Sequence, residues 1–471
     1  TPVPFNSFLN YPMSWKPDRA ALSTPLYRSL AHLLEQDILS GALPPHTKLP
    51  PQRELADFLD LNLSTITRTF QLCERRGLLY AITGKGTFVS PNAAASIAIA
   101  DGTKEQTIIE MGIIKALDQF NQDTLDVMRT VLTRNNSIDF LDYSNPLGSP
   151  YQRSAGKKWL ERFGLDLPAD QIAITSGSQN ALTIALLSLF QAGDKIATDH
   201  YTYSNFIELA NMMHIQLIPI SNDTDGMVPE ELETQCRLHH LRGIYLIPTF
   251  SNPVGITMST TRKQEIASII RQYHLTLIED DIYAFLTPDT IPPLAYYVPD
   301  CTFYISSLSK SLCSGLRVAY VAYPKRFADA MQRGIYNVNV KTPSWNSETA
   351  GELIYSGVAD SILQKKAVES QHRAEICRRF FPEDTPQNVG FSVWLPLPSV
   401  YSHTDFESLA LRHGIRVCHS QRFLVGKDDP QQYLRVALSS PETSEELANG
   451  LGILQRLFYS APNIEPPHLI I

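Results

Sequence analysis

Apolar residues near the start of the chain recur with the period of a helix. A spacing of 3.6 residues predicts a first helix that continues to Leu39. Gly41 ends this helix, and Pro44 prevents the chain from resuming it. The residues that carry the period are Leu26, Leu30, Leu33, Leu34 and Ile38.

Two shorter helical patterns follow the first helix. One covers residues 53–59, after a Pro-Pro pair, and the other covers residues 64–76. The residues between them, 60–63, predict a turn, and either Asn62 or Ser64 is suited to cap the third helix. The order helix, helix, turn, helix is that of a helix-turn-helix unit.

Strand patterns come directly after the third helix. Residues 78–82 and 87–89 predict two strands, and Gly84 and Gly86 around Lys85 allow the tight turn of a hairpin. A β-hairpin behind a helix-turn-helix is typical of a winged DNA-binding domain. A small three-helix domain that binds another protein is the alternative that the pattern leaves open.

The third helix of such a unit enters the major groove of DNA. On this chain that helix offers Ser64, Thr65 and Arg68 to the base edges. Arg53, at the start of the second helix, and Lys85, at the tip of the hairpin, are placed to meet phosphates or the minor groove.

The same region resembles the GntR family of bacterial transcription factors. The resemblance covers nearly all of Pro25–Ser90, and the segments LPPQRELA and GKGTFV carry it most specifically. It implies a DNA-binding head. Family members often have an arginine two residues before Thr65, where this chain has Leu63, so the operator contact of that position is left open.

The segments on either side of the head have different compositions. Residues 1–22 are rich in proline and aromatic side chains (Phe5, Phe8, Tyr11 and Trp15), which predicts an extended N-terminal arm. Residues 91–106 are small and polar with no lasting period, which predicts a linker, with a short buried strand at 97–99 as the alternative. The head is therefore expected to occupy residues 23–90.

From residue 107 to residue 471 strand and helix patterns alternate. This order predicts an α/β domain with a mainly parallel sheet. We expect residues of about 107–325 to contain a ligand site and about 340–471 to form a smaller C-terminal part. The predicted strands cover residues 171–175, 195–198, 243–247, 276–279 and 302–306, and a helix is predicted over 180–190.

Composition and charge agree with this division. The chain has 471 residues, of which 43% are hydrophobic, and carries a net charge of −8. Its first 91 residues hold nine Lys/Arg against seven Asp/Glu, so the acidity lies in the rest. A mildly basic head on an acidic body fits a DNA-binding unit joined to a metabolite-binding one.

Several sequence features bear on location and metal content. The six cysteines form no CxxC pair, so neither a zinc site nor a disulfide framework is expected. No apolar run reaches the roughly 20 residues of a membrane span, and no signal pattern opens the chain. We therefore expect a cytoplasmic protein with no membrane partner.

Chemistry concentrates in the stretch YISSLSKSLCSGLRVAY. It predicts a strand, a serine-rich turn holding Lys310, and a second strand opened by Arg317. A desolvated lysine forms a Schiff base with an aldehyde, and Ser307, Ser309 and Arg317 offer donors to an anion beside it. Pyridoxal phosphate (PLP) needs both features. An exposed lysine in a polar loop is the alternative.

Further polar residues follow the other predicted strands. Ser178 and Gln179 open a helix whose free N–H groups suit an anion. Tyr203 is placed to stack on a flat ring, and Asn252 to donate to a ring oxygen. Asp280 is placed to keep a pyridine nitrogen protonated, with Tyr283 close by in the sequence.

These motifs together resemble a fold-type I PLP-dependent aminotransferase. TSGSQNAL, SNPVG, EDDIY, SLSK, GLR and YLRVALSS occur in the family's order. The resemblance implies that Lys310 forms the internal aldimine and that Asp280 pairs with the ring nitrogen. It assigns the ring oxygen to Tyr283 and Asn252, and stacking on the ring to Tyr203. The phosphate is assigned to Ser178, Gln179, Ser307, Ser309 and Arg317.

Two more residues receive roles from the resemblance. Arg435 would clamp a substrate α-carboxylate, although an Arg–Asp structural pair has the same appearance in sequence. Tyr143 would reach the phosphate of another subunit. The two resemblances together identify the chain as a member of the MocR subfamily of GntR regulators, which implies a head-to-tail homodimer.

The expected function is that of a transcriptional regulator. It binds operator DNA through the winged helix and senses PLP, or an amine or amino-acid effector, at Lys310. The alternative is a working aminotransferase that carries a DNA-binding head. Lys310 would then also move the proton between the substrate Cα and the cofactor carbon.

Overall fold

The computed structural model describes residues 13–82, 84–91, 93, 108–287, 291–401, 405–426 and 429–459. The chain divides into two compact units. One holds the described residues up to Ile109 together with residues 405–417, and the other holds the rest. The first contains the head, and the second contains the large α/β domain.

The head is built from three helices and a hairpin. Its helices are α1 (Leu26–Leu39), α2 (Gln52–Leu59) and α3 (Leu63–Arg75). Strands β1 (Leu79–Ile82) and β2 (Gly86–Val89) pair antiparallel. Each helix follows the sequence prediction to within one residue at either end. Asn62 occupies the N-cap of α3 but makes no side-chain capping bond.

One apolar cluster holds the head together. Each helix contributes, with Leu34 from α1, Leu55 from α2 and Phe70 from α3 all buried. Trp15 joins this cluster with 4% of its surface exposed, and its Nε1 donates to Asp37 Oδ2 at 2.7 Å. The described end of the predicted N-terminal arm therefore packs on the head of its own chain.

Other predictions for the flanks fall outside the described residues. They concern Phe5, Phe8 and Tyr11, nearly all of the linker, and the alternative strand at 97–99.

The second unit contains most of the strands. In chain order the further strands are β3 (Ile109–Glu110), β4 (Ile172–Thr175), β5 (Lys195–Asp199), β6 (Gln216–Ile220), β7 (Asn222–Asp223), β8 (Gly226–Met227), β9 (Gly243–Leu246), β10 (Thr276–Asp281), β11 (Thr302–Ser307), β12 (Ala319–Ala322), β13 (Ser392–Pro396), β14 (Ile415–Arg416), β15 (Cys418–His419) and β16 (Tyr433–Ala437).

Seven of these strands form the central sheet, in the order β4-β12-β11-β10-β9-β5-β6. Strand β12 is antiparallel to both neighbours, whereas the pairings from β11 through to β6 are parallel. A smaller antiparallel sheet has the order β13-β16-β15. The mainly parallel sheet confirms the predicted fold class.

Side chains alternate between two faces of the central sheet. Ile174 and Tyr320 pack into one apolar cluster, while Ala173, Ile305 and Val321 pack into another. Both faces are therefore buried, which explains why these strands are short continuous apolar runs in the sequence.

The remaining helices belong to the second unit, except the one within residues 405–417, which falls in the first unit. They are α4 (Asn121–Leu132), α5 (Pro150–Glu161), α6 (Ser178–Leu189), α7 (Ser204–Met212), α8 (Pro229–His239), α9 (Thr260–Tyr273), α10 (Leu294–Tyr297), α11 (Leu308–Ser311), α12 (Ala328–Asn339), α13 (Ser344–Tyr355), α14 (Val358–Phe380), α15 (Phe406–Arg412) and α16 (Ser444–Tyr459). None of the helices in the described ranges is both long and apolar enough to cross a membrane.

Candidate functional site

The candidate site lies where the parallel strands of the central sheet end. Asp280 is next to the last residue of β10, and Lys310 lies in α11, directly after β11. Because parallel strands end at the same edge of a sheet, their terminal residues meet there. The stretch around Lys310, predicted as a serine-rich turn, is a single helical turn.

Lys310 is an amine in a desolvated, positively charged environment. Burial, followed by the charge of Arg435 and with a smaller part from Arg317, lowers the pKa of Lys310 to about 8. Its Nζ donates to the main-chain carbonyl of Ile114. A lysine with a lowered pKa keeps a substantial neutral fraction near neutrality, which an amine needs in order to attack an aldehyde.

Asp280 is a buried carboxylate with one free oxygen. The residue has no exposed surface, and its Oδ2 accepts a hydrogen bond from Tyr245 Oη at 3.2 Å. Its Oδ1 has no partner in the part of the chain that the structure describes. Burial raises the pKa of Asp280 to about 7, while the Tyr245 hydroxyl opposes that rise. The free oxygen is suited to a charged N–H donor.

A phosphate-sized cradle lies at the start of α6. Gly177 has φ of 86°, and a Cβ placed on it would lie 2.5 Å from Arg317 Nη2. The Arg317 guanidinium therefore lies directly against the turn that precedes Ser178, and its Nη1 donates to Ser309 Oγ at 3.1 Å. Helix N–H groups and an arginine side by side bind a dianion well.

The other predicted phosphate residues have distinct surroundings. Gln179 has a buried Oε1 that lacks a partner among the described residues. Ser307 is buried, and its Oγ accepts from the backbone N–H of Ser309 at 3.2 Å, so it caps α11. The Ser307 side chain thus already has a local structural role.

The predicted ring contacts come from three separate loops. Tyr203 precedes α7, and burial raises its pKa to about 12. Tyr283 is buried, and its ring packs edge-on against Phe391 with 5.9 Å between centroids. Asn252 is buried, and its Oδ1 accepts from Arg435 Nη1 at 2.9 Å. An Asn252 amide held in this way directs its N–H groups away from Arg435.

Arg435 is a buried cation without a carboxylate partner among the described residues. Besides Asn252, its Nη2 donates to the Gly112 carbonyl at 2.6 Å, and its Cζ lies 4.6 Å from the centroid of the Phe423 ring. Its Nε is buried and has no described partner. The Arg–Asp structural pair that the sequence left open is therefore absent from the described residues, and the guanidinium is suited to a ligand carboxylate.

The recognition face of the head is a line of polar residues on α3. Ser64 and Arg68 are exposed, while Thr65 is half-buried. Gln71 and Arg75 are also exposed and continue the line with helical spacing, which sequence reasoning missed because only the N-terminal turn was considered.

The remaining predicted DNA contacts are also accessible. Arg53 and Lys85 are both exposed. Leu63, the first residue of α3, is 42% exposed. A large apolar side chain thus stands at the start of the recognition helix.

Comparison with known families accounts for nearly the whole chain. Residues 26–89 match the family of bacterial regulatory proteins named gntR, and residues 109–451 match aminotransferase class I and II. The chain belongs to the gntR-type regulators that carry an aminotransferase domain. This confirms the MocR resemblance. The gntR match implies DNA binding by this regulator, and the finer domain boundaries stay predictions.

Individual relatives agree with this assignment. The regulator is 39% identical over 457 residues to the uncharacterized HTH-type transcriptional regulator YdeF of Bacillus subtilis (strain 168), covering 97% of this chain and 99% of the relative. It is 26% identical over 424 residues to PtsJ of Salmonella typhimurium (strain LT2), a vitamin B6 salvage pathway transcriptional repressor, covering 88% and 94%.

Solved structures show the fold of the large domain. An archaeal alanine:glyoxylate aminotransferase superposes with a TM-score of 0.71 at 22% identity, over 78% of this chain and 94% of that one. The regulator therefore has the PLP-dependent fold of aminotransferase class I and II.

The residues of this site are suited to hold PLP. The orphaned Oδ1 of Asp280 lacks a donor, which a protonated ring nitrogen supplies. The cradle at Gly177 excludes a Cβ, and Arg317 lies against it, as a phosphate requires. The guanidinium groups of Arg317 and Arg435 favour a ligand that carries negative charge.

Tyr143 is placed differently from the other predicted cofactor residues. It is 86% exposed, so its side chain lies outside the buried group around Lys310 in its own chain. Its assigned contact with the phosphate of another subunit stays a prediction. Sequence reasoning also missed Tyr245, since a tyrosine inside a buried apolar strand has no motif that separates it from core residues.

Proposed function

We propose that this regulator binds operator DNA through α3 and the β1–β2 hairpin and senses PLP, or an amine or amino-acid effector, at Lys310. The observation that carries the proposal is the unpaired Arg435 beside the desolvated amine of Lys310. A buried guanidinium costs several kcal/mol unless an anion pairs with it, so the site is completed by a ligand that brings a carboxylate.

When bound, PLP supplies an aldehyde for the Lys310 amine and an electron-withdrawing ring. The regulator's own residues supply the reactive amine, the partner of the ring nitrogen and the phosphate site. Lys310 presents a neutral amine because burial and neighbouring cations disfavour its charged form. Asp280 would hold the proton on the ring nitrogen, and Arg317 with the first turn of α6 would hold the phosphate.

An effector with an amine and a carboxylate makes use of both cations. Its amine competes with Lys310, while its carboxylate binds Arg435 in place of the Gly112 carbonyl, which now accepts from Nη2 at 2.6 Å. Such a ligand alters DNA binding only through its different affinity for the DNA-bound and free forms. The name of PtsJ supports a link to vitamin B6, so PLP itself is also a signal to test.

The proposal includes a head-to-tail homodimer in the cytoplasm. Its support is a run of apolar side chains left exposed between the end of α4 and the segment before α5. Single exposed apolar residues are ordinary on a monomer, but several so near one another in the chain favour burial by a second copy. The group consists of Leu132, Ile138, Leu141 and Tyr143.

The test is a footprint on the DNA upstream of the regulator's own gene, with apo and PLP-loaded protein. Protection whose extent or affinity changes with PLP supports both the DNA target and PLP as part of the signal. Identical protection in the two forms would mean that PLP is not the signal and that bound PLP serves to bind another ligand. A panel of amines would then be tested on the same DNA. Absence of protection overturns the choice of operator and raises the enzyme alternative.

A catalytic aminotransferase is the second candidate. The lowered pKa of Lys310 favours it, because a neutral lysine is also a base for proton transfer at carbon. Release of a keto acid over many cycles, abolished in Lys310→Ala, would support this activity. Product that stops at one equivalent per chain would contradict it.

A further inference from the structure

A second lysine lies buried directly behind the first. Lys366, on α14, has no exposed surface, and its Nζ donates to two main-chain carbonyls. One is that of Lys310 itself, at 3.0 Å, and the other is that of Leu312, at 2.8 Å. The neighbouring Lys365 instead faces outward and pairs with Asp123 at 2.6 Å.

The setting of Lys366 is unfavourable for an amine. No ion pair of this amine is found among the described residues, and burial lowers its pKa to about 8. A buried ammonium held only by carbonyl dipoles destabilises the fold, since an apolar side chain of equal length would avoid the desolvation. A methionine would fill much the same space, so the amine calls for a specific reason.

The carbonyls that it binds supply that reason. Helix α11 is a single turn of four residues, and a turn of that length does not hold its own geometry. The last carbonyls of any helix lack partners within it, and cations near a helix C-terminus satisfy them. Lys366 Nζ reaches the carbonyls on both sides of Ser311 and so fixes the backbone from which the Lys310 side chain extends.

We propose that Lys366 is a positioning residue that fixes the main chain of Lys310 and thereby places the Lys310 amine for bonding to the cofactor aldehyde. The inference rests on the proposed PLP site and deepens it. Lys366 does not touch the ligand pocket in this role, because its amine is occupied by the carbonyls behind the turn. Its effect is therefore confined to ligands that react with Lys310.

Two ligands separate this role from a general structural one. PLP binds through its ring, its phosphate and its aldehyde, whereas pyridoxine 5′-phosphate has the ring and phosphate but no aldehyde. The ratio of their affinities measures what the Lys310 bond adds. We expect Lys366→Met to weaken PLP binding about tenfold while pyridoxine 5′-phosphate changes by no more than about twofold. Lys310→Ala has no amine to bond with the aldehyde, so it gives the value of this ratio in the absence of the bond.

Lys365→Met is the matched control, since it removes an amine from the adjacent, exposed position and should leave both affinities unchanged. Equal weakening of both ligands in Lys366→Met would overturn the inference and make Lys366 part of the general packing. Unchanged binding of both would also overturn it. If Lys366→Met does not fold, Lys366→Leu, which also removes the donor to both carbonyls, decides by the same ratio.

Failure of the wild-type chain to bind either compound has a different meaning. It would overturn the proposed PLP site itself, and the role of Lys366 with it. Binding of both compounds by the wild type, with an unchanged ratio in Lys366→Met, overturns the role of Lys366 alone.

Discussion

Tyr245 and Asp280 lie on adjacent parallel strands and share one hydrogen bond, from the tyrosine Oη to Asp280 Oδ2 at 3.2 Å. The bond leaves Oδ1 of the same carboxylate without a partner among the described residues. A buried carboxylate with only one hydrogen-bonded oxygen destabilises the ligand-free fold. Its other oxygen is available to accept a hydrogen bond from a ligand. This conflict between stability and binding is measurable.

Asp280→Asn should stabilise the ligand-free chain at alkaline pH. The folded pKa of Asp280 is about 7, above the ordinary value of 3.8, so the folded chain holds this proton more tightly than the unfolded chain does. The protonated Asp280 carboxyl therefore contributes stability that is fully present below pH 3.8 and is lost as the pH rises through about 7. We expect the variant to gain about 4 kcal/mol in unfolding free energy at about pH 8, the equivalent of this rise in pKa.

Urea unfolding of the apo forms at about pH 4 and about pH 8 checks this gain. The difference between wild type and Asp280→Asn should nearly vanish at the lower pH, where the wild-type carboxyl is protonated. Asp170→Asn, at an exposed carboxylate, serves as the control and should show no comparable pH dependence. A loss of stability at the higher pH would show that the buried carboxylate is paired after all. PLP binding should weaken in the stabilised variant.

Arg435→Gln should raise the pH at which the rate of the reaction between Lys310 and PLP is half-maximal. Burial is the main reason that the pKa of Lys310 is lowered to about 8, and Arg435 is the charge that lowers it most. Only the neutral amine attacks the aldehyde, so the rate falls as the pH drops through the pKa. Removing the cation should move the midpoint up by roughly 0.5 unit or more. Stopped-flow absorbance across a pH series measures it.

Arg379→Gln is the control for that series, because Arg379 is an exposed arginine far along α14. It should leave the midpoint in place. A midpoint that stays at its wild-type position in Arg435→Gln would contradict the electrostatic part of the lowered pKa of Lys310.

Gly177→Ala should weaken phosphate binding specifically. The new Cβ would meet Arg317 Nη2 at 2.5 Å on a backbone with φ of 86°, which costs an alanine about 1 kcal/mol before any clash. Gly193→Ala has the same kind of strain, with φ of 91° and open space around its Cβ. PLP affinity should fall about tenfold or more in the first variant alone, and pyridoxal, which lacks the phosphate, should distinguish them little. Equal losses in both variants would assign the effect to strain.

The sequence predicted those parts of the fold that depend on local pattern. Each head helix was located to within one residue, and the predicted strands were found because buried parallel strands are short apolar runs with turns at both ends. Helix α11 was missed as a helix, since one turn carries no period. The hydrogen bond between Arg435 and Asn252 joins residues far apart in sequence, so no local pattern predicts it.

Candidate residues at strand ends were found for a similar reason. Asp280, Lys310 and Arg317 are polar residues that interrupt apolar patterns, and so they are visible in one sequence. Tyr245 and Lys366 act through partners that only the folded chain brings together. Tyr245 has the pattern of a core residue, and Lys366 that of one more charge on a long polar helix, so neither was distinguishable from its surroundings.

The exposed line on α3 predicts which arginines contact DNA. Arg68→Ala and Arg75→Ala should each weaken operator binding by about 1–3 kcal/mol, and removing an arginine that binds a phosphate should reduce the salt slope by about one. Fluorescence anisotropy against salt concentration measures both quantities. Arg379→Ala, on the large domain, is the charge-matched control. A far-UV circular dichroism spectrum and a thermal unfolding curve like those of the wild type exclude misfolding of the head, and full affinity in both variants would place the DNA elsewhere.

Leu63→Arg tests how the start of α3 meets the operator. Leu63 is 42% exposed at the helix end expected to enter the groove, next to Ser64. A new cation there should strengthen binding to unrelated DNA and steepen its salt dependence by about one if that helix end enters the groove, because it then passes close to a phosphate. Leu63→Gln controls for removal of the apolar side chain without adding charge. If Leu63→Arg leaves both slope and affinity at the wild-type values, residue 63 faces away from DNA, and the leucine departs from the family pattern at a position that does not contact the operator.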